Sequence, residues 1–141
     1  MKIYRSKDGM AAMGRLSLGA DLLDELTEMV ATLEIQAGTL QVIGAVSTLV
    51  LGYFHQDRQE YETLNTAGQW EIASGLGNIS IRDGEPFVHL HVVASGSDGQ
   101  AVGGHLMAGT TVFAAEAYVR ALDGDAPVRV PDDPTGLTLW G

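Results

Sequence analysis

Phe87-Val88-His89-Leu90-His91 and, beyond a turn-forming stretch, Gly103-Gly104-His105-Leu106 carry three of the four histidines in this 141-residue chain. Alternate residues of an extended strand face the same side, and at a rise of ~3.3 Å per residue the Cα atoms of His89 and His91 stand roughly 6.6 Å apart with parallel side chains. Whether His105 joins them is a question of register. In an antiparallel pair it shares their face if it stands opposite either histidine and leaves it if it stands opposite Leu90. An odd-numbered loop centred within residues 95–99 gives the required parity, and Asp98-Gly99 is the strongest turn signal there. A bulge at Gly103-Gly104 would change the count. The stretch therefore predicts a hairpin that brings three imidazoles to one side of a sheet.

Three neutral imidazoles are a familiar zinc set, with metal–nitrogen distances of ~2.0–2.1 Å and a fourth position left for water, an acid or a ligand. Nickel, copper and iron are also compatible, because imidazole alone discriminates poorly among them. The simpler alternative is a set of core or interface histidines satisfied by hydrogen bonds. It suits a lone histidine better than three on one face.

The rest of the chain narrows the setting. Its length suits one domain with a real core. The 18 glycines, well above the ~7% average, fit a sheet protein with many tight turns. With no cysteine, a metal must be held by histidine or carboxylate. The N-terminal nine residues are too polar for a signal peptide, and the longest apolar stretch, 42–51, is too short for a membrane span, so a cytoplasmic location is expected. Eight Lys and Arg stand against 18 Asp and Glu, a net charge of -10 with no basic cluster. Phosphate contact by Lys and Arg supplies most sequence-independent DNA affinity, so this balance argues against direct nucleic-acid binding.

Secondary structure follows from periodicity. Residues 2–6 read as a first strand, followed by a glycine-rich connection through Gly9 and Gly14. From Asp21, a reasonable N-cap, Leu22, Leu23, Leu26, Met29, Val30 and Leu33 form one apolar helical stripe, with Gly38 as its expected stop. Segments 39–46, 48–55, 60–64, 70–73, 78–82, 87–94, 100–107 and 112–122 read as strands, with turn signals at 56–58, Ala67-Gly68, Asp83-Gly84 and Asp98-Gly99. Segment 112–122 also carries helix formers, but its alternation favours a strand. Residues 1–122 thus form the domain, and 123–141, broken by Pro127, Pro131 and Pro134, an extended C-terminal tail whose Leu137, Leu139 and Trp140 are expected to dock on the body or on a neighbouring subunit.

Taken in order, Gly19-Ala20-Asp21-Leu22-Leu23, 38–46, Gly68-Gln69-Trp70-Glu71-Ile72, Gly77-Asn78-Ile79-Ser80, Gly84-Glu85-Pro86-Phe87-Val88-His89-Leu90-His91, Asp98-Gly99, Gly103-Gly104-His105-Leu106 and 109–116 resemble the plant and prokaryote conserved (PPC) domain family in its stand-alone prokaryotic form. The resemblance covers roughly residues 2–122. It implies an α/β (α+β) sandwich, a mainly antiparallel β-sheet packed by one main helix, assembled as a homotrimer, with a metal site at His89, His91 and His105. Prokaryotic members are often labelled DNA-binding, yet this chain lacks the Arg-Gly-Arg-Pro hook of plant relatives. It also departs from the family's Gly-Arg-Phe-Glu-Ile-Leu motif, with Gln69 for the arginine and Ala73 for the leucine. Trp70 is expected to pack in the core or at a subunit boundary.

Glu71 and Glu116 are the carboxylates weighed as catalytic candidates, and Glu116 also as a hydrogen-bond partner of a ligating imidazole or as a salt-bridge residue. Asn78 is noted beside them. His55 is expected to be exposed and without a role, Gly103 and Gly104 to allow close backbone approach, and Ser95 and Ser97 to be turn formers. Three functions follow. The leading one is a divalent-metal site, Zn2+ or another transition ion, in a trimeric protein with a regulatory or ligand-binding role and a small-molecule ligand. The second is a metal-dependent hydrolase or lyase, and the third a DNA-associated regulatory protein.

Overall fold

The computed structural model describes residues 1–141. Nine strands and one helix follow in the order β1 (Lys2–Arg5), β2 (Ala11–Arg15), α1 (Leu22–Thr32), β3 (Gly38–His55), β4 (Glu60–Arg82), β5 (Glu85–Ser95), β6 (Ala101–Leu106), β7 (Thr111–Ala121), β8 (Arg129–Asp132) and β9 (Leu137–Trp140). The first seven strands form one antiparallel sheet in the order β1-β2-β7-β3-β4-β5-β6. The expected mainly antiparallel sheet with a single packed helix is thus what the chain forms. Leu22, Leu26, Met29 and Val30 of α1 are fully buried in one core with Leu40, Val42, Leu90, Val92, Ala117 and Val119 of the sheet.

Asp21 caps α1 as expected, its Oδ1 accepting from the backbone N–H of Leu23 (2.9 Å) and Asp24 (3.1 Å). The helix ends earlier than Gly38. Glu34 takes the left-handed position (φ 56°), its N–H donating to Ala31 O while Ile35 N–H donates to Val30 O. This is the Schellman pattern, and the buried Ile35 and Val30 supply the apolar contact that usually accompanies it. Gly38 serves a different need: a Cβ there would lie 2.3 Å from Arg120 O on the neighbouring β7.

Segments read as separate strands are joined. β3 absorbs 39–46 and 48–55, and β4 absorbs 60–64, 70–73 and 78–82. The Ala67-Gly68 signal encodes a bulge rather than a turn. Val46 pairs with Trp70 and Thr48 with Ala67, so β4 carries one extra residue there, with Gly68 at φ 108°. A second shift lies between Val42 and Gly44. Such bulges bend a sheet, and the far half of β3 reaches β6, where Leu51 pairs with Leu106 and Gly52 with His105. Strands β3 to β6 thereby close into a ring.

Two further elements differ from expectation. The glycine-rich connection contains β2, whose small residues carry no β-branched signal; a Cβ on Gly14 would meet Met29 Sδ at 2.6 Å, so its glycine lets α1 lie close. The segment after residue 122 holds a two-stranded hairpin, β8-β9, tied to the free edge of β4 by the hydrogen bond from Ile81 N–H to Pro127 O (2.9 Å). The side of the sheet away from the core keeps exposed apolar residues. One cross-strand row runs Met13, Tyr118, Gln41, Leu76, His91, His105 across β2, β7, β3, β4, β5 and β6.

Candidate metal centre

The hairpin parity is the expected one. His91 stands opposite His105, Ser95 opposite Ala101, and residues 96–100 form an odd-numbered loop closed by Gly96 N–H donating to Gln100 O. No bulge interrupts Gly103-Gly104. Both glycines sit where backbones converge, since a Cβ on Gly104 would lie 3.0 Å from Gly52 O and one on Gly103 3.2 Å from Val92 O. Val88, Leu90, Val92 and Ala94 of β5 turn into the core, which leaves His89 and His91 on the opposite face.

The three rings meet there. Their centroids lie 5.1 Å (His89–His91), 5.0 Å (His89–His105) and 5.3 Å (His91–His105) apart, and one ring nitrogen from each falls within 4.8 Å of the other two. His105 Nδ1 is buried and has no hydrogen-bond partner. A buried polar atom normally finds one, so the cluster is short of a partner that the protein does not provide.

Burial pushes the His89 ring down to about 4 from the usual 6.5, helped by the charges of His105, Arg129 and His91. Burial, His91 and Arg129 push His105 down as well. These rings are therefore neutral at pH 7, the form in which imidazole binds a metal. A depressed base has a sign for folding too. Between pH 6.5 and about 4 the unfolded chain takes up the His89 proton while the folded chain does not, so the metal-free protein should lose stability as pH falls through that window. Urea unfolding of metal-free wild type and His89→Gln at a series of pH values checks this; the variant should show a shallower slope.

A cleft of ≈ 270 Å3 opens beside the cluster, lined by His89, His105, Tyr61, Phe87, Arg82 and Arg129 together with Phe54, Gln59 and the 136–139 segment. Arg129 was not singled out in the sequence. Its Nε donates to Ser80 Oγ (2.9 Å), Nη1 to Thr138 O (2.8 Å) and Nη2 to Asn78 Oδ1 (3.3 Å). Asn78 stands opposite His89, and Ser80 opposite Phe87, so β4 and β5 present them on one face.

The other candidates lie elsewhere. Glu71 pairs with Ala45 and Ser95 and lines a separate hollow with Trp70, Ser95, Ser97 and Phe113. Glu116 stands between Ile43 and Arg15 on the β7 side of the sheet. Neither is in the cluster, and no Asp or Glu lines the cleft. His55 is tied to Glu62, Nε2 to Oε2 at 2.7 Å, rather than free. Trp70 packs half-buried against the core, its Nε1 without a partner. Leu137 and Leu139 form part of the cleft wall, while Trp140 is half-exposed over a hollow near Gly38.

Residues 5–123 match the family model described as the Plants and Prokaryotes Conserved (PCC) domain, also abbreviated PPC. Among solved structures, a metal-containing protein from Archaeoglobus fulgidus is 39% identical with a TM-score of 0.88, over 99% of this chain and 96% of that one. A PPC protein from Pyrococcus horikoshii is 32% identical with a TM-score of 0.88, over 99% and 93%. A Bacteroides thetaiotaomicron protein described as a candidate DNA-binding protein is 24% identical with a TM-score of 0.89, over 99% and 96%, a likeness of fold alone. No curated protein matches this chain. No helix is long and apolar enough to cross a membrane.

Proposed function

Because this chain belongs to the Plants and Prokaryotes Conserved domain family, we propose that it binds a divalent transition metal, best matched by zinc, through His89, His91 and His105, and that it serves a regulatory or ligand-binding role as a homotrimer. The observation that carries this reading is the convergence of three imidazoles, one with a buried nitrogen that no protein group satisfies. The description of the Archaeoglobus fulgidus relative as metal-containing supports it. A divalent ion held by three histidines offers an open position to an oxygen ligand. The chain's own contribution is to hold the His89 and His105 rings neutral and wall the position with the β8-β9 hairpin. Metal analysis of purified protein tests the reading, and anomalous scattering at metal edges identifies the ion.

A ligand-binding role fits the cleft better than hydrolysis or lysis. Activation of metal-bound water for such chemistry calls for a proton acceptor in reach, and neither Glu71 nor Glu116 lies in the cleft. Direct duplex binding forms no part of this reading, given the net charge of -10. Titration with labelled duplex should show no binding even at about 50 mM salt, where phosphate contacts are much stronger than at physiological salt.

The trimer draws support from the exposed outer face, where Met13, Ile43, Phe113 and Tyr118 gather on β2, β3 and β7. Apolar surface of this kind commonly marks an interface. Light scattering should give the mass of three chains, and Phe113→Asp with Tyr118→Asp should shift it toward one. A monomeric wild type at micromolar concentration would end this part of the proposal.

A further inference from the structure

Arg129 is a cation without an acid. All three acceptors of its guanidinium are neutral, two of its five N–H groups remain for other partners, and no carboxylate lies within salt-bridge distance. Arg82 stands beside it. Both guanidinium groups lie over the Phe87 ring, at 4.0 Å for Arg82 and 4.8 Å for Arg129. The one carboxylate within salt-bridge distance of Arg82 is Asp83, 3.9 Å away and almost fully exposed, while Glu85, opposite Arg82 on β5, makes no ion pair with it. Two like charges brought to one aromatic ring, in a cleft with no Asp or Glu, repel each other unless an anion joins them. In a chain of net charge -10 such a cleft is an isolated positive site.

We propose that this cleft is a subsite for a small oxyanion, a molecule bearing a carboxylate or a phosphate, which pairs with Arg129 and Arg82 and can turn an oxygen toward the histidine-bound ion. The inference rests on the metal reading for that last contact but not for the arginine pair. Guanidinium is the donor best shaped for carboxylate and phosphate, which it meets with two parallel N–H groups. Ser80, Asn78 and Thr138 fix the Arg129 fork, so the ordering cost of binding is already met within the fold. At ≈ 270 Å3 the cleft suits a small metabolite rather than a polymer.

Calorimetric titration of the full chain with malonate and with methyl phosphate, using malonamide as the uncharged control, tests the subsite. At least one anion should bind and malonamide should not; whichever anion binds identifies the ligand class. Arg82→Gln, on a half-exposed side chain whose contact with the fold is its stacking on Phe87, should weaken binding several-fold. Arg129→Gln should weaken it about tenfold or more, the usual cost of a lost charged hydrogen bond. Arg129→Lys, which keeps the charge, guards against mere loosening of the hairpin and should retain part of the affinity. Metal content, measured on every variant, should not change. Absence of anion binding in metal-loaded protein, or binding indifferent to both glutamine variants, would overturn the subsite while leaving the metal reading intact. Arginine-dependent binding in a protein that takes up no metal would uphold the subsite and remove the metal reading.

Discussion

His105→Ala is expected to lower the affinity for zinc by well over ~100-fold, since even the loss of a group that only supports a ligand costs ~10–100-fold. His105 occupies the shared position of the cluster. It stands opposite His91 and lies 5.0 Å, ring to ring, from His89. Its removal leaves two imidazoles on one strand, a weak chelate, and frees the space that the buried Nδ1 now fills without a partner. The fold should survive, because the ring faces away from the core formed by Leu90, Val92 and Leu106. Competition of the variant and wild type with a chromophoric chelator reads the affinity, and circular dichroism checks the fold. Equal metal uptake by the two proteins would refute the site.

Gly77→Ala should be the most damaging single methyl group near the site. Gly77 stands opposite Leu90, and a Cβ there would lie 2.2 Å from His89 O and 3.0 Å from Leu90 Cα. Both obstacles are backbone, so no rotamer change relieves the clash and β4 must part from β5 beside the histidines. Overpacking of a dense interior costs ~1–3 kcal/mol and more where the chain cannot shift. A stability loss at the upper end of that range is expected in urea unfolding, together with weaker zinc uptake. An alanine variant with wild-type stability and metal affinity would show that the strand spacing here is softer than its geometry indicates.

The histidine cluster was legible because its two ingredients are local: period-two alternation on β5 and the parity of one short loop. The sheet and the α1 cap were legible for similar reasons, with Asp21 ahead of an apolar stripe and alternation along β7. Features set by neighbours were not. Ala67-Gly68 reads as a turn from composition, yet the adjacent β3 keeps pairing across it and turns it into a bulge. Glu34 adopts a backbone conformation usually left to glycine because the Ile35–Val30 contact fixes the helix end. Arg129 lies 24 residues beyond His105 in a proline-rich segment with no periodicity, and only the docking of β8 on β4 brings it to Asn78 and Ser80. The family resemblance anticipated the sheet and the helix; the matched region ends at residue 123, before this arginine.

The cross-strand row that begins at Met13 and ends at His105 has a thermodynamic consequence. Its apolar end and its imidazole end are one continuous surface, six strands wide. Anything that settles on the first and alters the solvent around the second changes the affinity there, and reciprocity then requires an ion at the histidines to change the affinity of that guest by the same factor. Occupancy of one end reports on the other to the extent that such a guest alters that solvent.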